Sequence, residues 1–169
     1  MEDARVTDST AMGVFVRKGR ARLLRVTVER LSAEANADGT RALGDALMLR
    51  DAEVEVDQLT AREVEGSALY ASAFATVRVG TLLAERTGGG ALLVERGASV
   101  TVKELTSRGT LGPAVTVPDK AKLSVGRLVV SGGAEVPVFA ACEDGAEVHL
   151  GRLDSTVPQP PAKCLRLGP

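Results

Sequence analysis

A stretch of 23 residues in the middle of the chain is followed by a second stretch of the same length and nearly the same pattern. TVRVGTLLAERTGGGALLVERGA fills positions 76–98, and SVTVKELTSRGTLGPAVTVPDKA follows it directly. Copies of one pattern take the same supersecondary structure, and a unit of this size cannot bury its own apolar side. The chain is therefore expected to stack its repeats so that neighbouring units build a shared core.

The repeats share the motif Ala-x-Val-x-Val-x-x-Leu, in which Leu can replace Val. Copies begin at Ala52, Ala75, Ala98, Ala121 and Ala146. An earlier copy begins at Leu24 and continues through Val26, Val28 and Leu31, so the successive spacings are 28, 23, 23, 23 and 25 residues. A second apolar segment recurs between the motifs, as GVFV, GDALML, GSALYA, GGALLV and GPAVTV, and PPAKCLRL near the C-terminus is predicted to continue this second series.

Apolar and polar residues alternate with a period of two in each repeat, which is typical of strands with one buried face. Gly and Pro separate the segments, as in TGGGA and TLGPA, and no segment keeps a helical period over three turns. The predicted fold is all-β, a right-handed parallel β-helix in one domain over residues 1–169, with about 23 residues and three short strands per coil and six to seven coils. A β-sandwich is the alternative, but it does not require equal spacings.

Stacking places equivalent residues of successive coils in columns with a step of about 4.8 Å. Two inward columns are expected to form the core: Val54, Val77, Val100, Leu123 and Val148, and beside them Val56, Val79, Val102, Val125 and Leu150. An outward column on the second strand is expected to contain Glu34, Arg62, Glu85, Arg108 and Ser131. Because the charges in this column alternate in sign, it is interpreted either as a surface ion-pair ladder or as a charged face that contacts a polysaccharide.

The interval between Leu31 and Leu59 is five residues longer than the repeat and contains SAEANADGTRALGD. NADG is a turn signal, so the segment is predicted to project as a loop and is the best candidate for contact with a partner. Glu34, Asp38 and Asp45 carry oxygens that could bind Ca²⁺, but their spacing matches no calcium-binding loop, so a plain loop is favoured.

The two cysteines, Cys142 and Cys164, fall at nearly the same phase of the last two coils. Residues one coil apart have Cα atoms about 5 Å apart, which is within disulfide range. A disulfide would close the last coil and imply an oxidising compartment, whereas two free thiols would suit a reducing one. A zinc site is not expected, because the chain has only two Cys and one His.

The composition argues against several functional classes. With 21 basic and 22 acidic residues the net charge is −1, so no basic face for nucleic acid is expected. No apolar run approaches the roughly 20 residues of a membrane span, and MEDARVTDST has none of the features of a signal peptide. No outward column stacks carboxylates on adjacent coils, and the three Phe and one Tyr offer few platforms for sugar rings. Neither catalysis nor a cofactor is therefore expected.

This repeat pattern, over about residues 13–165, resembles that of the right-handed, pectate-lyase-like β-helix proteins of bacterial cell surfaces and secretions. The resemblance implies the fold and an extracellular or cell-surface location in a bacterium, but a fold alone assigns no activity. The expected function is a non-enzymatic scaffold or adhesion module that presents loops and strand faces to a protein or glycan. The alternatives are a carbohydrate-active β-helix, which binds or cleaves a polysaccharide, and a self-assembling β-helix similar to bactofilins.

The N-terminal stretch DARVTDSTAMGVFV starts partway round a coil in this register. The chain is therefore expected to be the C-terminal fragment of a longer β-helix, or to have its first coil capped by another element, because an open coil edge invites aggregation. The expected oligomeric state is a monomer or an end-to-end oligomer.

Overall fold

The computed structural model of the chain describes residues 2–35 and 42–168. Strands make up most of this part of the chain: β1 (Asp3–Ser32), β2 (Glu34–Ala35), β3 (Ala42–Val64), β4 (Leu69–Ser72), β5 (Thr76–Thr87), β6 (Leu92–Val94), β7 (Ser99–Arg108), β8 (Val115–Val117), β9 (Lys122–Ser131), β10 (Val138–Ala140), β11 (Glu147–Ser155) and β12 (Leu165–Leu167). One turn of 3-10 helix covers Cys142–Asp144. In the described residues, no helix has the length and apolarity that crossing a bilayer requires.

The strands form a parallel β-solenoid. They join in one sheet in the order β10-β8-β6-β4-β3-β5-β7-β9-β11-β12, with β1 also paired to β3. The pairs between coils are parallel, and from β3 to β9 the long strands step by 23 residues, as in Val77 with Val100 and Val100 with Leu123. The prediction of an all-β parallel solenoid is therefore confirmed. The described residues form about five complete turns, and the predicted six to seven coils is reached only when the partial coils at both ends are counted.

From β4 to β11 each coil contains one long bent strand and one short strand, rather than three separate strands, and in β1 and β3 the two run together as one strand. In β5 the buried residues alternate up to Val79 and resume at Leu82, and the two residues between them, Gly80 and Thr81, form the bend. A Cβ atom on Gly80 would lie 2.5 Å from the carbonyl oxygen of Asp57 in the coil before, so the bend needs a glycine here. The predicted first and second strands are thus the two arms of one strand.

The core is a set of in-register columns, as the repeat predicted. Val54, Val77, Val100, Leu123 and Val148 follow one another through successive coils, and so do Val56, Val79, Val102, Val125 and Leu150. All ten side chains are buried. The short strands add a third column, which runs from Leu47 through Leu69, Leu92 and Val115 to Val138.

The register predicted for the first coil is wrong. Val26 pairs with Leu59, and Ala21 occupies the place below Val54 that was assigned to Val26. The true step between these coils is therefore 33 residues and the insertion ten, not five. The error arises because a coil has two bends with the same spacing of buried residues. Val26-x-Val28-x-x-Leu31 spans the second of these bends, whereas the motif in the later coils spans the first.

The C-terminal segment also differs from the prediction. PPAKCLRL does not continue the short-strand series, because its strand β12 pairs with the long strand β11, with Leu165 beside Val148. The end of the short-strand series is covered instead by Gln159. Its Oε1 accepts a hydrogen bond from Val138 N–H at 2.8 Å, and its Nε2 donates to Val138 O at 3.1 Å. Proline lacks the N–H that a strand would donate here, which explains why a Pro-rich segment ends the series.

Replacing Val102 with Asp should unfold the solenoid, because the carboxylate would be buried without a partner in the middle of an inward column. The expected loss in the free energy of unfolding is more than about 4 kcal/mol. Thr101→Asp is the matched control, because Thr101 is the exposed neighbour on the same strand. Urea denaturation of both variants checks the register, and equal midpoints for the two would contradict it.

Candidate functional site

The outward column on the second arm of the long strand is a continuous ladder of ion pairs. We call the residues Arg5, Glu29, Arg62, Glu85 and Arg108 the charge ladder. Glu29 lies between Arg5 and Arg62, with N–O distances of 3.1 Å to each. Arg62 also donates to Glu85 at 2.7 Å, and Arg108 approaches Glu85 from the other side at 3.4 Å.

The two carboxylates of the charge ladder are held in their ionised form. The hydrogen bonds from Arg5 and then Arg62 lower the pKa of Glu29 below its usual range, and the hydrogen bond from Arg62 lowers the pKa of Glu85. Their side chains are only 16% and 19% exposed, whereas the terminal Arg5 is 71% exposed. A carboxylate with a cation in the coil above and another in the coil below is better shielded from water than either end of the ladder.

A second, shorter set of ion pairs lies at the corner that follows the charge ladder. Arg30 pairs with Asp8 through two hydrogen bonds of 2.6 and 2.8 Å, and Arg86 pairs with Glu63 at 2.8 Å. The hydrogen bond from Arg30 lowers the pKa of Asp8. All four residues have positive φ, and Gly109 and Gly132 continue the same corner with φ of 63° and 66°. The fold holds this corner in the left-handed region, which costs free energy for the non-glycine residues.

The predicted contact residues divide between three places. Arg62, Glu85 and Arg108 lie together in the charge ladder. Glu34 does not, because its strand β2 pairs antiparallel with β3, with Glu34 in register with Leu43. Asp38 lies outside the described residues. Glu29 takes the place assigned to Glu34, and sequence reasoning missed it because of the five-residue error in the first register.

Asp45 is hydrogen-bonded to the next coil. Its side chain is buried, and its Oδ1 accepts a hydrogen bond of 2.8 Å from the backbone N–H of Ser67 in the next coil. Within the described ranges there is no group of three or more His, Cys, Asp or Glu side chains that could hold a metal ion. The carboxylate of Asp45 therefore has a structural role at the start of the short strand.

His149 lies on the first arm of the long strand, in an outward column between Ser124 and Arg166. A recess of about 340 Å³ opens over this face, and its lining includes Lys122 and Lys163. Lys122 pairs with Glu147 at 3.2 Å, but both side chains are largely exposed. This face is polar and open. Neither of the strand neighbours of His149, Ser124 and Arg166, carries a carboxylate.

A column of larger side chains runs along the outward side of the short strands. It contains Phe15, Met48, Tyr70, Leu93, Thr116 and Phe139. The end members Phe15 and Phe139 are 44% and 49% exposed, whereas Tyr70 is buried and donates its hydroxyl hydrogen bond to Glu95. This column was not predicted from the sequence, although its last four members are spaced by the repeat length of 23 residues.

Cys142 and Cys164 form a disulfide with Cα atoms 5.2 Å apart. Cys142 begins the 3-10 turn that follows β10, and Cys164 directly precedes β12. The bond closes a loop with a sequence separation of 22 residues, about one coil. It therefore ties the last strand to the coil beneath it.

Comparisons with protein-family models, curated proteins and solved structures find no match to this chain.

Replacing Arg62 with Gln should weaken the solenoid at neutral pH and have less effect in acid. Glu29 and Glu85 have lowered pKa values in the folded state, so their contribution to stability is present above the ordinary carboxyl pKa of about 4.3 and is lost as the pH falls through the folded values. Urea midpoints at pH 7, 5 and 3 should show the gap between wild type and variant shrinking. Arg78→Gln is the control, because Arg78 and Glu55 are a loose exposed pair at 3.8 Å. A gap of equal size at pH 3 and pH 7 would contradict the ladder.

Breaking the disulfide should destabilise the C-terminal coil. Closing a loop of this length stabilises a fold by about 3 kcal/mol in the chain-entropy account, so reductant should lower the urea midpoint of the wild type. The Cys142→Ser/Cys164→Ser variant should have the lower midpoint already and should not respond to reductant. A thiol count on denatured, unreduced protein should find no free thiol, and two free thiols would contradict the bond.

Proposed function

We propose that the chain is a non-enzymatic β-helix scaffold, a surface or secreted module that presents strand faces and loops to a protein or glycan partner. The charge ladder is the observation that carries this proposal. Its paired charges continue from coil to coil and fix each outward residue relative to the next, which suits a module whose surface must keep its shape. The described turns give a rod about 24 Å long at about 4.8 Å per coil.

The bacterial, pectate-lyase-like type and the extracellular location form part of the same proposal. Support for the type comes from the 23-residue repeat alone. Support for the location comes from the disulfide between Cys142 and Cys164, because such bonds persist in oxidising compartments.

The state of the carboxylates favours a scaffold over a carbohydrate-cleaving enzyme. A glycosidase needs one carboxyl group whose pKa is raised, so that it can donate a proton at neutral pH. Here the pKa values of Glu29, Glu85 and Asp154 are all lowered by hydrogen bonds from arginines. Each of these groups accepts hydrogen bonds from two arginines, and such groups suit ion pairing better than proton transfer.

The last short strand weighs against self-assembly by end-to-end stacking. Gln159 occupies the positions on β10 to which a further short strand would bond.

The proposal is tested by measuring turnover and assembly on one protein preparation. The protein is incubated with polygalacturonate, xylan and cellulose while reducing ends and unsaturated uronate absorbance are followed. Sedimentation velocity is run over a hundredfold concentration range. We expect no product above the buffer control and a single monomeric species. Product that increases with protein concentration, or filaments by negative-stain microscopy, would overturn the scaffold.

A further inference from the structure

One corner of the solenoid holds an aromatic side chain at a position where two later coils have glycine. The residue before the first alanine of the repeat motif is Phe74 in one coil, Gly97 in the next and Gly145 in the last copy. Their φ angles are 64°, 75° and 85°, all in the left-handed region. A bulky side chain is rarely found there, because its Cβ atom crowds the backbone. Phe74 therefore occupies a backbone conformation that costs free energy.

The ring of Phe74 recovers little of this cost by packing. At 78%, it is the most exposed large apolar side chain in the described part of the chain. The ring rests against Gly97 in the next coil, where an added Cβ atom would lie 2.6 Å from its Cε1. Gly97 thus leaves the space that the ring uses, and the ring is positioned while most of it stays open to solvent. An exposed aromatic ring on a strained backbone points to a role in binding.

Phe74 lines a recess of about 550 Å³, which is within the size range of small-molecule sites. The walls of this recess are mostly apolar, and they extend over successive coils between Arg50 and Asp144. The recess lies on the side of the solenoid, so coils before and after Phe74 contribute to it.

Charged groups of both signs line the recess beside the ring. The cations are Arg50, Arg96 and Lys120, and the carboxylates are those of Asp119 and Asp144. In the charge ladder such groups pair with one another. Among the described residues, Arg50, Lys120 and Asp144 take part in no ion pair, so their donors and acceptors are available to a ligand.

The main chain of this corner is already bonded within the solenoid. Phe74 N–H donates to Arg96 O at 3.1 Å, and Ala98 N–H donates to Glu95 O at 3.2 Å. Arg96 N–H donates to Asp119 Oδ1 at 2.6 Å, which also fixes that carboxylate. These amides are not available to a partner strand. A ligand in the recess is therefore recognised by the ring and by the charged side chains around it.

We propose that the recess at Phe74 is a binding site for a neutral, hexose-based glycan, with one sugar ring stacked on the phenyl ring. A pyranose offers an apolar C–H face to an aromatic ring, and its hydroxyl groups both donate and accept hydrogen bonds. Arg50 and Lys120 supply donors, and Asp144 supplies an acceptor. The carboxylates disfavour an anionic sugar, and the cations disfavour a cationic ligand. This inference rests on the proposed scaffold function and names the class of its partner.

The test measures binding to the full chain by isothermal titration and saturation-transfer NMR. The probes are cellohexaose, laminarihexaose and maltohexaose, three neutral glucans that differ in linkage. Hexagalacturonate represents an acidic glycan, and N-acetyl-tryptophanamide represents an aromatic side chain of a partner protein.

Phe74→Gly and Phe74→Asn remove the ring with residues that tolerate the left-handed backbone, and Phe74→Tyr keeps the ring. Leu111→Ala is the matched control, because Leu111 is 72% exposed and does not line the recess.

We expect at least one neutral glucan to bind, with saturation on its ring C–H protons and with affinity unchanged in about 1 M salt. Affinity should fall by about tenfold or more in Phe74→Gly and Phe74→Asn, and should stay within about twofold of wild type in Phe74→Tyr and Leu111→Ala. Phe74→Gly should keep at least the urea midpoint of the wild type, because glycine adopts this backbone without strain. A loss of binding is then due to the ring and not to unfolding.

Three results would overturn the proposal: no binding of any neutral glucan, binding that survives removal of the ring, or tighter binding of hexagalacturonate or N-acetyl-tryptophanamide than of every glucan. Each of these outcomes leaves the non-enzymatic scaffold intact. Cleavage of a bound glucan would instead overturn the non-enzymatic function and leave the recess as a glycan site, so the two failures are distinguishable.

Discussion

The parallel backbone hydrogen bonding between successive coils is the interaction on which the rest of this structure depends. It keeps equivalent residues one strand spacing apart, about 4.8 Å. Residues at the same position of the sequence repeat therefore line up in one column. Inward, this places Val77 against Val100 and lets small side chains fill a narrow core. Outward, the same spacing brings Arg62 within hydrogen-bonding distance of both Glu29 and Glu85. Core and surface therefore follow from one register.

The register also makes the sides of the solenoid different from its ends. Along the sides, a charge in one coil is neutralised by its neighbours above and below, and the carboxylates of the charge ladder stay ionised and shielded. At the C-terminal end, Gln159 bonds to the last short strand and a disulfide ties β12 to the coil beneath it.

The period and the inward columns could be predicted from the sequence because Val and Leu recur there at a fixed step. The first coil could not, because Val26-x-Val28-x-x-Leu31 has the spacing found at both bends of a coil, and only backbone pairing shows that Val26 lies below Leu59. Glu29 was missed as a consequence. The outward column through Tyr70 was detectable by the same 23-residue step. Function was less accessible, because the outward charges mostly pair with one another and so reveal little about an external ligand.

The most direct test of the 23-residue register is disulfide mapping of engineered cysteine pairs. Thr101 and Ser124 face each other on adjacent coils, whereas Lys122 faces Ser99 and lies diagonal to Thr101. Facing residues have Cα atoms about 5 Å apart and diagonal ones about 7–8 Å, beyond disulfide range. Under mild oxidation and peptide mass spectrometry, Thr101→Cys/Ser124→Cys should cross-link in nearly every molecule and Thr101→Cys/Lys122→Cys should not. The reverse result, or equal cross-linking of both pairs, would contradict the stacked-coil register.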